Sequence, residues 1–274
     1  FPYTTLFRSP DYCNKNQLQG KEKIISDAIT KLKQILSLEI GIIELDHNIG
    51  LDKVSEIFIR INSKGVELSQ ADFAMSKISS DSKYNGIEIR KLIDYFSHLI
   101  KSPSDYELIK ENDKDLLKTN ILQKISWIIK EQEDIYNPDY KDILRVSFTH
   151  KFCRGKMADL ISLLSGRNFD SQENLEPIAE DSFSKLRLGV ESFVSETNYK
   201  RFIMILNSLG IIDASLVSSK NILNFAYILY LTLREKQYDH TLIERIVRKW
   251  VVFSMLTGRY SGSSESKRSE EHTS

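Results

Sequence analysis

Apolar residues recur at three- and four-residue intervals along most of the chain. In "KIISDAITKLKQILSL", Ile25, Ile29, Leu32 and Leu36 share one face, which predicts an amphipathic helix within Lys15–Leu38. The run "IGIIEL", Ile40 to Leu45, is short and β-branched and predicts a buried strand. Val54, Ile57, Phe58 and Ile61 restore the helical spacing over Leu51–Asn62. Ser69, with Asp72 three residues later, has the form of a capping box, and Ala71, Ala74, Met75 and Ile78 continue the spacing behind it.

Beyond Gly86 the pattern is helical nearly throughout. It predicts helices over Ile87–Ile100, Leu116–Lys130, Asp139–Lys151, Lys156–Leu164, Glu180–Val194, Tyr199–Leu209, Ser219–Arg234 and Leu242–Leu256. Breaks are expected at "KSPSD", "IYNPD", "LSGRNFDSQENLEP", "NSLG" and "EKQYD". The part from Leu116 to Tyr260 should be compact, with Trp250, Phe253, Phe225 and Tyr227 buried.

Composition narrows the function classes. Of 274 residues, 41% are hydrophobic and 28% charged, as in a chain that folds around a core. Lys+Arg and Asp+Glu are equal at 38 each, so attraction to nucleic acid has to come from a local patch. Two distant cysteines, Cys13 and Cys153, form neither a disulfide framework nor a zinc pattern and fit a reducing, cytoplasmic setting. The apolar stretches "ILNFAYILYLTL" and "WVVFSML" are shorter than the roughly 20 residues of a membrane span, and no signal peptide is expected.

The ends, "FPYTTLFRS" (residues 1–9) and "RSEEHTS" (residues 268–274), resemble in-frame translations of sequencing adapters. On that reading, residues 10–267 are an internal piece of a longer protein.

The junction "IFIRINSKGVELSQADF" carries Arg60, Asn62 and Gly65 between two predicted helices. Helix-end chemistry accounts for them locally. Gly65 can take a left-handed closing position, Asn62 and Ser63 can bond the last turn, and Arg60 can pair with Glu56 one turn back. The longer block "VSEIFIRINSKGVELSQADF" also resembles the N-terminal, ParB/sulfiredoxin-like domain of GmrSD-type restriction endonucleases. "GKMADLISLLSGR", "SSKNILNFAYILYL" and "RKWVVFSMLTGRYSGSSES" resemble blocks of the helical region that follows it in one subgroup.

The resemblance implies a mainly α fold: a multi-helical domain at 102–267, after one or a few short strands left from a truncated α+β ParB-like domain at 10–101. It implies a parent that cleaves DNA in a nucleotide-dependent way, using a nucleoside triphosphate and a divalent metal, with DNA as partner, no membrane, and homo-oligomerisation left open. Arg60 and Asn62 would hold phosphate oxygens, while Gly65 and Ser69 shape the turn. The family's Asp-Gly-Gln-Gln-Arg motif and HNH-type nuclease element are absent from this sequence. The piece alone is therefore expected to be inactive, and its catalytic residues remain unassigned. The alternative is a helical module that binds DNA or protein without chemistry.

Other candidates are local. "HKFCRGK" brings His150 near Cys153, a pair too small for a metal site, so a structural role is expected. Arg154 and Lys156, at a predicted helix start, form a candidate phosphate contact. Arg259 and Tyr260 in "GRYSGS" combine a cation with a ring able to stack a base, against helix-end packing of the ring.

Overall fold

The computed structural model describes residues 9–37, 44, 49, 57, 69–130, 135–169 and 175–260. The chain divides into two compact units, Phe1–Ser63 and Lys64–Ser274. The expected strand Ile40–Leu45 and helix Leu51–Asn62 lie outside the described residues, apart from the single positions Glu44 and Ile57. Among the described residues there is no strand, and the architecture is mainly α and multi-helical.

In the first unit the single expected helix is two, α1 (Ser9–Lys15) and α2 (Glu22–Ile35). Gln17 and Gly20 adopt positive φ between them, and the Leu18 amide donates to the Cys13 carbonyl at 2.8 Å, closing α1. On α2 the apolar stripe is only partly covered: Ile25 and Ile29 are half-buried, while Leu32 and Leu36 are exposed.

The second unit begins with α3 (Gln70–Ser80), α4 (Gly86–Leu99), α5 (Tyr106–Asn112) and α6 (Ile121–Ile125). It continues with α7 (Tyr140–Phe152), α8 (Met157–Leu164), α9 (Glu176–Val194), α10 (Glu196–Asn207), α11 (Lys220–Glu235) and α12 (His240–Leu256). Helix α7 is central, packed on α9, α11 and α4. Its buried residues Ile143, Leu144, Val146, Ser147, Phe148 and His150 fall on nearly every face. Helix α9 approaches so closely that a Cβ on Gly189 would stand 2.7 Å from the Ser147 carbonyl oxygen.

Aromatic rings fill the centre. Phe202 stacks on Tyr227 at 4.6 Å between centroids, Phe193 meets Tyr227 edge-on at 5.0 Å, and Phe96 meets Phe193 and Tyr199 at 5.8 Å. Each buried phenol in this group has a hydrogen-bond partner. Tyr227 donates to the Phe193 carbonyl at 2.7 Å, Tyr199 to the Tyr136 carbonyl, and Tyr136 to Asn224 Oδ1 at 2.7 Å.

Three local expectations change. Leu116–Lys130 is a 3-10 turn, the short α6 and a second 3-10 turn, Ser126–Lys130, because Thr119 is extended and interrupts the first turn. The "KSPSD" break instead opens a helix, since Pro103 occupies the first turn of a 3-10 segment that runs into α5. Phe253 is 62% exposed rather than buried. The stripe of α12 that faces the core is Ile243, Val247, Val251 and Ser254, and Phe253 lies off it. Tyr227 is buried, and Trp250 and Phe225 are half-buried against the core.

Candidate functional site

Of the junction singled out in the sequence, Arg60, Asn62 and Gly65 lie outside the described residues, and Ser69 lies inside them. Ser69 is the N-cap of α3. Asp72 Oδ2 accepts from the Ser69 amide at 2.8 Å and from its hydroxyl at 2.7 Å. The other oxygen, Oδ1, accepts from the Tyr140 hydroxyl at 2.5 Å, which ties the start of α3 to the start of α7. Burial works against the Asp72 carboxylate, but the bonds from Tyr140 and Ser69 outweigh it and hold its pKa below the usual range. Burial, together with the bond to Asp72, pushes the Tyr140 phenol up to about 12, so it remains a donor.

The basic cluster is largely committed. Arg154 pairs with Asp159 at 3.2 Å and lies 4.6 Å over the Phe169 ring. Lys156 is the exposed N-cap of α8 and provides no side-chain cap. Tyr260 is buried, stacked on Phe225 at 5.1 Å with Trp250 at 6.0 Å, so its ring closes the end of α12 instead of facing solvent; Arg259 beside it is exposed.

His150 is a core residue. Its Nδ1 lies 3.2 Å from the Thr232 hydroxyl and its Nε2 3.2 Å from Glu235 Oε2, while Cys153 is exposed at the left-handed end of α7. Burial, reinforced by the Lys151 ammonium and opposed by Glu235, lowers the imidazole pKa to about 4, so the ring is neutral near pH 7. Among the described residues, no group of three or more His, Cys, Asp or Glu is placed to hold a metal ion.

Sequence reading missed one buried polar chain. Asn224 on α11 accepts from Tyr136 and donates to Asp142 Oδ1 at 2.8 Å, and Asp142 Oδ2 takes the Asp139 amide at 3.0 Å and Lys220 at 3.1 Å. These bonds fix the extended segment before α7. The Pro138-Asp139 pair signalled the cap of α7, but nothing in the local pattern signalled the contact with Asn224, which is 82 residues from Asp142.

Comparison with family models, with curated proteins and with solved structures finds no match for this chain. No helix among the described residues is long and apolar enough to cross a membrane.

Proposed function

We propose that the chain is part of a GmrSD-like protein that restricts DNA in a nucleotide-dependent way, and that its helical unit is a non-catalytic support within it. The block Val54–Phe73 carries this reading, through Arg60, Asn62 and Gly65 in the order found in that family. Arg60 would supply a two-pronged guanidinium and Asn62 an amide to phosphate oxygens. The last residues of the block are anchored by the Ser69–Asp72–Tyr140 bonds. The buried Asp142 and His150 serve the fold, which favours a supporting role for the helices over a catalytic one.

The test uses a longer protein containing this chain. Arg60→Ala and Asn62→Ala should leave its melting temperature nearly unmoved and lower nucleotide binding or hydrolysis tenfold or more, about the scale of one lost charge-assisted contact. Unchanged hydrolysis in both variants would reduce the stretch to a helix junction. The chain by itself should hydrolyse no nucleotide and cleave no DNA. If it instead binds DNA or a protein with no nucleotide dependence, the non-catalytic binding module is the better account.

A further inference from the structure

A recess of about 160 Å³ opens beside α10, where the end of α4 meets the 3-10 turn Ser126–Lys130. Ile100, Trp127, Tyr199 and Ile203 form its floor, and all four are buried. The polar edges of the two aromatic residues point elsewhere. Trp127 Nε1 donates to the Val194 carbonyl at 3.2 Å, and the Tyr199 hydroxyl donates to the Tyr136 carbonyl. Carbon faces are therefore what the two rings offer a guest. The polar lining groups are Lys200 and Asn207. Lys200 Nζ stands 5.9 Å from the centre of the Trp127 ring, so a positive charge lies over the aromatic floor. The ammonium also touches Glu196 at 2.8 Å, in an exposed pair one helical turn apart. Such pairs contribute little to stability, and Lys200 can exchange that carboxylate for another with small loss.

We propose that this recess binds a small, free, single-ring aromatic carboxylate. Its ring lies against Trp127 and Tyr199, and its carboxylate meets the Lys200 ammonium. Size and charge select this class together. A cavity of roughly 150 Å³ lined by apolar side chains accommodates one benzene ring. The ammonium at the edge favours an anion over a neutral ring of the same shape. A ligand of this size binds with a Kd on the order of 1 mM.

The chain has two tryptophans, so Trp250→Phe leaves Trp127 as the sole reporter in the recess. Phenylacetate should change Trp127 emission saturably, and the uncharged isostere phenylacetamide should bind at least fivefold more weakly. Lys200→Gln, at a half-buried position, should abolish that preference with little change in the melting temperature, and Lys200→Arg should restore it. Ligand-observed saturation-transfer NMR on the wild-type chain repeats the comparison without the Trp250 change. Absence of saturation by phenylacetate in both measurements, equal affinity for acid and amide, or a preference that survives Lys200→Gln would each overturn the proposal. The outcome is independent of Arg60 and Asn62.

Discussion

At the residue scale, His150 links the interior to pH. Its pKa near 4 in the fold lies below the 6.5 of an exposed imidazole, so the fold favours the neutral ring. The contribution is complete above pH 6.5 and is lost as pH falls toward 4, amounting to about 2 kcal/mol by pH 5. His150→Gln cannot titrate. The slope of stability against pH between 6.5 and 4, measured by urea unfolding, should flatten accordingly; an unchanged slope would mean that the ring protonates freely in the fold. Gly189 gives a second test, because two effects of opposite sign meet there. Alanine is favoured over glycine inside a helix by up to about 1 kcal/mol. An added Cβ would meet the Ser147 carbonyl at 2.7 Å, and overpacking of that kind costs about 1–3 kcal/mol. Gly189→Ala should lower stability on balance in chemical denaturation, and a gain would show that α7 and α9 can separate without cost.

At the element scale, caps and periodicity were legible and the exceptions have physical reasons. The Ser69–Asp72 box and the buried set Ala71, Ala74, Met75 and Ile78 on α3 stand as the spacing implied. Asp139 begins α7 in the same manner, its Oδ1 accepting from the Lys141 and Asp142 amides at 2.9 and 3.1 Å. Asp139→Ala should therefore cost about 1 kcal/mol in thermal or denaturant unfolding. A larger loss would mean that the cap also keeps Asp142 aligned for Asn224. What could not be read depends on partners distant in sequence. Phe253 looks like core by composition, but only the neighbours α11 and α10 decide which side of α12 faces inward. Pro103 marks a break by type and a helix start by position, and the half-buried Tyr106 and Ile109 behind it supply the packing that decides. The candidate site was legible only as a motif: Ser69 could be placed, whereas the tie of its partner Asp72 to Tyr140 joins residues 68 apart.

At the scale of the whole molecule, the core determines where the chain can be cut. Every member of the described hydrophobic core lies between Ala71 and Tyr260, within the unit Lys64–Ser274. The resemblance instead places a boundary after residue 101. Residues 69–101 carry α3 and α4, whose Ile78, Ile93 and Phe96 are fully buried. Phe96 also lies within 6.0 Å of the rings of Trp127, Phe193 and Tyr199, and Glu88 pairs with Arg187 on α9 at 3.3 Å. A piece that keeps residues 64–274 retains every member of that described core and should unfold in one cooperative transition. Removing residues 1–101 empties the space filled by three fully buried side chains, each worth about 2–5 kcal/mol, which exceeds much of the 5–15 kcal/mol that holds a domain together. The shorter piece should show no cooperative transition by calorimetry. Two sharp transitions of similar temperature would place the boundary at residue 101 and make α3 and α4 an appendage of the helical unit; loss of cooperativity in the longer piece would instead show that residues 1–63 are needed for folding.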